Sequence, residues 1–338
     1  MKILLIVPST ETTLSAVIPE HYKKLNIGYY PALGPLYLAS YLKNFSSHTA
    51  EILDIAVEGM ELKDVRKKIQ QEAPVAVGIY ATSLTINIVF KIVKIAKEVN
   101  DKNIVIIGGP HVDIFPEETA SLPGVDFVVT GEGEHTLTEL LNCIDKNEGF
   151  SGVKGIVYKN NEKIITTEKR PLIDKLDELP FPARDLTDYK KYHSLIGKTK
   201  VSTTLMTSRG CPFRCNFCFI QYGGRYRIRS AENVVKEIKE CVALGINEIF
   251  FFDELFTVNK SRVMNVCNEI IKNKLNIIFD IRARVDTVDE EMILKLKEAG
   301  CARIQYGVES GSPEILIAMN KRTTIEQIRK AIKLTKKA

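Results

Sequence analysis

The sequence predicts an α/β protein in two parts, an N-terminal Rossmann-like doubly wound parallel sheet and a second run of βα units of barrel type. Three observations carry this reading. Short apolar runs alternate with charged stretches of helical spacing along most of the chain. Continuous runs such as IVIIGG suit parallel strands covered on both faces. A length of 338 residues exceeds what one hydrophobic core ordinarily serves.

The first strand is expected at Lys2 to Val7, followed by a helix over Pro35 to Asn44 and strands at Glu51 to Ile55, Pro74 to Tyr80, Ile104 to Ile107 and Val125 to Val129. Between them, Leu62, Val65 and Ile69, then Ile88, Ile92, Ile95 and Val99, recur at helical spacing. Residues 1–148 form this first domain. From 149 to 200 the pattern changes: GIVYKNNEKIITTE reads as a hairpin with an Asn-Asn turn, and RPLIDKLDELPFPARDL, rich in Pro and acid, reads as a connector. The second domain, 201–338, has strands near Ser202 to Met206, Glu248 to Phe252, Asn276 to Ile281 and Ala302 to Tyr306. Its helices are expected near Ala231 to Leu244, Ser261 to Asn273, Glu290 to Ala299 and Thr324 to Lys336. In both architectures ligands gather where strands end, so the loops after the strands are the ones to inspect.

With 45% hydrophobic and 26% charged residues, the chain falls outside the ranges of disordered, collagen-like and membrane-bundle sequences. Its 47 basic and 42 acidic residues leave a charge of +5 spread along the chain, too weak to imply nucleic acid. MKILLIVPST lacks a cleavage pattern, and no apolar run approaches the ~18 residues of a spanning helix, so a cytoplasmic location is expected. Of seven cysteines, Cys143, Cys241, Cys267 and Cys301 stand alone, and Cys241 and Cys267 fall on apolar helical faces that suit core packing. The other three fall together, which points to a metal site and away from a disulfide framework.

That cluster is SRGCPFRCNFCF, which puts Cys211, Cys215 and Cys218 in the loop after the first strand of the second domain. Three thiolates at this spacing can reach three corners of an iron-sulfur cube and leave the fourth iron open. A zinc site completed by a distant Cys or His is the alternative, although zinc motifs usually come as two paired half-sites. The segment GGRYRIRS, with Arg225, Arg227 and Arg229, leaves RNA contact as a further alternative.

CxxxCxxC with an aromatic Phe217 before the last Cys resembles the radical S-adenosylmethionine (radical SAM) superfamily. The resemblance implies a 4Fe-4S cluster whose open iron is chelated by S-adenosylmethionine, which an electron splits to methionine and a 5'-deoxyadenosyl radical. It places Phe217 near the adenine, Asp253 and Glu254 at the amino group, and Arg284 at the carboxylate. Glu309 and Ser310 fall at the ribose or methionine part, and similar arginines are common before the first barrel helix. The barrel of such proteins has six strands, so the four visible here imply a partial (β/α)6 barrel truncated after the fourth strand, and a chain belonging to a longer protein.

The first domain has neither GxGxxG after its first strand nor GxxxxGK[ST]. Beside the triad, its strand-end segments resemble the cobalamin-binding domain of class B radical SAM proteins: Leu33 and Gly34 in YYPALGPLYL, Ser83 and Thr85 in ATSLT, Gly108, Gly109, Pro110 and His111 in IIGGPH, and Gly131, Glu132 and Gly133 in TGEGE. Where relatives that ligate cobalt carry DxHxxG, this chain is read as Asp54 to Gly59, with Ala56 in the His position. His111 is the one nearby candidate imidazole, more suited to a structural or tail-binding role. The resemblance implies an enzyme that uses 4Fe-4S, S-adenosylmethionine and cobalamin to methylate an unactivated carbon of a small-molecule metabolite, with an electron donor such as flavodoxin or ferredoxin and no nucleic acid. Radical cyclisation or rearrangement is the runner-up, and a non-catalytic cobalamin or metal sensor the second class. Methylthiotransferases of RNA need three further N-terminal cysteines where only Cys143 stands.

Overall fold

A computed structural model describes residues 1–9, 28–161, 163–194, 196–219 and 224–338. The chain divides into two compact units, residues 1–173 with 179–195, and residues 174–178 with 196–338.

In the first unit β1 (Lys2–Val7) is followed by the two-residue β2 (Gly28–Tyr29), α1 (Leu33–Phe45), β3 (Thr49–Asp54), α2 (Ile55–Glu58), α3 (Leu62–Glu72), β4 (Ala76–Tyr80) and α4 (Ile86–Val99). Next come β5 (Ile104–Gly108), α5 (Pro116–Ser121), β6 (Phe127–Val129), α6 (Gly133–Asp145) and the hairpin β7 (Ile156–Asn160) and β8 (Lys163–Thr166). One seven-stranded sheet results, ordered β3-β1-β4-β5-β6-β7-β8, parallel from β3 to β6. Strand β1 shows why its apolar run is continuous. Leu4 and Ile6 pack with Val65, Ile69, Val89 and Ile92 on one face, while Ile3 and Leu5 pack with Ala39, Leu42, Leu137 and Leu140 on the other. Side chains alternate across a strand, so helices on both faces demand apolar residues at both phases.

The stretch read as a connector begins inside this unit: β7 pairs antiparallel with β6 and extends the sheet. Asn160 pairs with Lys163, and Asn161 adopts φ 53°, one place later than the expected Asn-Asn turn. Further along, β9 (His193–Ser194) pairs with β2, while residues 174–178 belong to the second unit, where Asp177 accepts from Ser230 N–H at 3.0 Å.

The second unit carries β10 (Ser202–Leu205), β11 (Ser208–Arg209), β12 (Arg227–Ile228), α7 (Ala231–Ala243), β13 (Glu248–Phe251), α8 (Lys260–Lys272), β14 (Ile278–Ala283), α9 (Glu290–Glu298), β15 (Cys301–Tyr306), α10 (Pro313–Ala318) and α11 (Ile325–Lys337). Its main sheet is parallel throughout, in the order β10-β13-β14-β15. Each helix start follows from a capping side chain: Ser230, Asn259, Asp289, Ser312 and Thr324 each accept a backbone N–H of the first turn. Cys241 and Cys267 are fully buried on the inner helical faces, as their spacing predicts. Short α10 and the two-residue ladder of β11 and β12 lie outside the expected set; both are fixed by loop contacts, which periodicity does not report. Among the described residues, no helix is long and apolar enough to cross a membrane.

Gly300 closes the turn from α9 into β15 at φ 103°, where a Cβ would stand 2.3 Å from the Ile277 carbonyl oxygen. Gly300→Ala should therefore lower the unfolding free energy by about 2 kcal/mol or more. Urea denaturation followed by circular dichroism checks this; a midpoint unchanged from the unsubstituted chain contradicts it.

Candidate functional site

The C-terminal ends of β10 and β13 are tied by one buried carboxylate. Asp253 has no exposed surface, and its oxygens accept from Thr207 N–H (2.6 Å), Ser208 N–H (3.2 Å), Ser208 Oγ (2.7 Å), Thr207 Oγ1 and Arg262 Nη2 (3.1 Å). Arg262, on α8, also donates to Thr207 Oγ1 and to the Phe256 carbonyl at 2.9 Å. An ionised carboxylate is stable in such a place only when its lone pairs are filled, and here the chain itself fills them. Asp253 therefore has little capacity left for the S-adenosylmethionine amino group expected of it. Its neighbour Glu254 sits differently: it is exposed, accepts from Gly210 N–H at 3.2 Å, and crowding of the carboxylate by protein raises its pKa.

Beyond this knot the chain runs through Gly210, at φ 87°, where a Cβ would stand 2.1 Å from the Arg225 carbonyl oxygen. Only glycine allows that approach. The β11 and β12 ladder then closes the loop that holds Cys211, half-buried, Cys215, buried, and Cys218, exposed. Desolvation raises the thiol pKa of Cys211 and Cys218, and nearby Lys321 partly offsets this at Cys218. The far side of the loop is held by the segment after α10. Asn216 donates to the carbonyls of Met319 and Ala318, both at 2.9 Å, and Asn320 Nδ2 donates to the Arg214 carbonyl at 2.6 Å.

Two charged residues stand beside this loop. Arg284 lies over the Phe213 ring at 3.9 Å, directs Nη1 to Cys215 Sγ at 3.6 Å, and gives Nε and Nη2 to Asp286 at 2.9 and 2.8 Å. The bidentate edge expected to receive a ligand carboxylate is thus taken by Asp286. Lys321, 5% exposed, pairs with Glu309 at 2.7 Å and lies 5.7 Å above the exposed ring of Phe217. Ser310 Oγ accepts from Ser312 N–H in the turn before α10. Lys321, Asn320 and Arg262 are absent from the sequence reading; each acts through tertiary contacts that no local pattern marks. Arg282 could have been found, since it sits on β14 two residues before Arg284. Its guanidinium covers the rings of Phe250 (4.9 Å) and Phe252 (4.5 Å).

In the first unit the strand order reverses beside β1, the position at which doubly wound sheets bind ligands. Gly109 (φ 110°) is required by the Ala81 carbonyl, 2.7 Å from where its Cβ would be, and Gly108 and Pro110 flank it. Gly131 (φ 72°) has open space at its Cβ position and donates its N–H to Asp113 at 2.7 Å. Exposed Ser83 bonds His111 Nδ1 at 3.1 Å, and burial lowers the pKa of that imidazole. Thr85 is buried and closes its own turn with Thr82, which leaves its hydroxyl little capacity for the expected ligand role. Glu132, also buried, accepts Ile173 N–H at 2.7 Å, and Gly133 opens α6 against Leu38. Leu33 and Gly34 form the first turn of α1, where Gly34 lies near Tyr80. The Asp54 to Gly59 stretch ends edge strand β3: Asp54 accepts from Tyr192 Oη at 3.0 Å and Glu58 from Lys191 Nζ at 2.9 Å. Ala56 thus lies on α2, which packs against both β3 and β1.

Both ligand groups fit these residues. Three thiols on one restrained loop are the donor set of a cluster held at three corners. Among the described residues, no three His, Cys, Asp or Glu side chains converge as a single ion would require. Past the C-terminal ends of β4 and β5, Leu84, Ile114 and Phe115 are exposed around the glycine turns, which suits a large, flat, partly apolar ligand. Among the described residues, His193 Nε2 is a buried atom without a hydrogen-bond partner, while its Nδ1 meets the Lys191 carbonyl at 3.0 Å.

A thiol-bearing loop at the C-terminal end of a parallel sheet, in a chain with a Rossmann-like unit open at its own strand ends, defines an α/β protein of two cofactors. Residues 205–338 match the radical SAM superfamily and residues 27–141 match the B12 binding domain. The chain is 38% identical over 341 residues to an uncharacterized methyltransferase of Pyrococcus horikoshii, covering 100% of this chain and 72% of that protein. It is 31% identical over 320 residues to an anaerobic magnesium-protoporphyrin IX monomethyl ester cyclase of Rubrivivax gelatinosus, covering 91% of this chain and 57% of the cyclase. Among solved structures, the cobalamin-dependent S-adenosylmethionine radical enzyme OxsB, with aqua-cobalamin and S-adenosylmethionine bound, matches with a TM-score of 0.81 and 25% identity, covering 99% of this chain and 47% of OxsB. The chain thus spans between 47% and 72% of the length of these relatives. It belongs to the radical SAM superfamily and carries a B12 binding domain.

As a structural tie, Asp253 shares its energy with Arg262. Asp253→Asn and Arg262→Met should each cost about 3 kcal/mol of stability, since each strands a buried partner. The double variant should cost far less than the sum, and a double-mutant cycle by chemical denaturation reads that coupling. Strict additivity would show that the two residues act separately.

Proposed function

We propose that the protein methylates an unactivated carbon of a small-molecule metabolite, with a 4Fe-4S cluster, S-adenosylmethionine and cobalamin as its cofactors. The observation that carries this is the restrained loop of Cys211, Cys215 and Cys218 in a chain that also holds a B12 binding domain. The methyltransferase name of the Pyrococcus relative, aligned over the whole chain, supports methyl transfer. The cluster with S-adenosylmethionine supplies a hydrogen-abstracting radical, and cobalamin supplies the methyl group.

In this reading Cys211, Cys215 and Cys218 hold the cluster, and the Phe217 face borders the adenine. Glu254, exposed at the strand end, receives the amino group in place of Asp253. Arg282 replaces Arg284 as the cation for the carboxylate, because the Arg284 fork is engaged by Asp286. Glu309 and Ser310 line the ribose side. In the first unit, Ser83, His111 and the backbone at Gly108, Gly109 and Gly131 border the corrin and its tail. The four parallel strands are read as part of a (β/α)6 barrel. Thiols kept reduced suit a cytoplasmic protein served by a small electron donor such as flavodoxin or ferredoxin.

Anaerobically reconstituted protein, loaded with hydroxocobalamin and reduced with dithionite, should cleave S-adenosylmethionine to 5'-deoxyadenosine. Replacing any of the three cysteines with Ala should remove both iron and cleavage. Label from the S-adenosylmethionine methyl carbon should enter the corrin fraction. Cleavage without that label would favour a radical rearrangement, and stoichiometric zinc in place of iron would overturn the reading.

A further inference from the structure

We propose that Arg284 and Lys321 are positioning residues that raise the reduction potential of the cluster on Cys211, Cys215 and Cys218, with Glu309 as the counter-charge that limits Lys321. This rests on the cluster reading above. Arg284 is 4% exposed, and its Nη1 is directed at Cys215 Sγ, 3.6 Å away. Hydrogen bonds to cluster sulfurs are among the features that set such potentials. Lys321 lies over Phe217, the residue before Cys218, with 6% of its side chain exposed.

Both cations have carboxylate partners, so the sign of the net field depends on which member of each pair acts more strongly on the sulfurs. Burial is unequal within each pair. The Glu309 side chain is 30% exposed against 6% for Lys321, and Asp286 is 17% exposed against 5% for Arg284. Water and salt screen the more exposed member of each pair, so the buried cation acts on the sulfurs more strongly than its carboxylate does. Reduction adds one electron from an external donor to the cluster, with no bond made or broken, and makes the site more negative by one charge. Fixed cations favour that state.

The test is potentiometric and omits S-adenosylmethionine, so ligand binding does not enter it. The reconstituted 338-residue chain is titrated anaerobically with dithionite, with the reduced cluster followed by electron paramagnetic resonance and iron and sulfide measured in parallel. Lys321→Met should shift the midpoint to lower potential, leaving the reduced signal several-fold weaker at the midpoint of the unsubstituted protein. Lys321→Arg should restore it. Glu309→Gln should shift the midpoint the other way, and because Glu309 is exposed this variant carries the test if Lys321→Met loses iron. A loosened loop would move both variants in one direction. Full iron with unchanged midpoints, or shifts of the same sign, overturns the proposal and leaves the cluster reading intact. Absence of any cluster in the unsubstituted chain overturns that reading and the proposal together.

Discussion

Everything at the C-terminal end of the second sheet depends on satisfying one buried carboxylate. Asp253 leaves β13 with no water to solvate it, and its hydrogen bonds draw the backbone of Thr207 and Ser208 and the guanidinium of Arg262 inward. A carboxylate left unpaired there would cost several kcal/mol. The need for partners fixes where β10 ends and which way the chain turns, and that turn brings Gly210 against Arg225 and starts the cysteine loop. The thiol positions therefore follow from a residue that is not itself a thiol ligand.

Much of the fold is legible in the sequence because its strands are buried on both faces. Ile3, Leu4, Leu5 and Ile6 form one unbroken apolar run, and the same logic marks β4 and β5. Less visible are the elements set by contacts distant in sequence. The ladder of β11 and β12 is two residues long and is closed by the Gly210 approach, and β7 reads as part of a linker until its pairing with β6 is known. Helix α6 does have a mark, in Leu137, Leu140, Leu141 and Ile144, behind glycines that draw attention to the loop alone.

The site divides in the same way. Cysteine spacing is local information, and a triad at x3 and x2 intervals says what it can hold. Charged residues at strand ends are visible too, but their roles depend on which neighbours have claimed them. Asp253 and Arg284 stand where sequence places them and are occupied by their own chain, by Ser208 and Arg262 in one case and by Asp286 in the other. Thr85 is spent on its own turn, whereas Ser83, two residues earlier, remains exposed beside His111. Residue type and position name a candidate; the count of hydrogen bonds already made decides whether it has capacity left.

Lys321 and Asn320 complete the argument from the opposite side of the loop. The Asp253 knot holds the loop where it leaves β10, and the β11 and β12 ladder closes its two ends together. The middle would still be free to spread without a third hold. That hold comes from the segment after α10, through Asn216 to Met319 and Ala318, Asn320 to Arg214, and Arg284 to the Lys321 carbonyl at 2.6 Å. The cysteine segment, restrained at its base and middle, loses conformational entropy on folding, before any cluster is inserted. The strap that supplies the last restraint also carries the buried ammonium group, so the geometry of the thiols and the charge beside them are set by the same few residues.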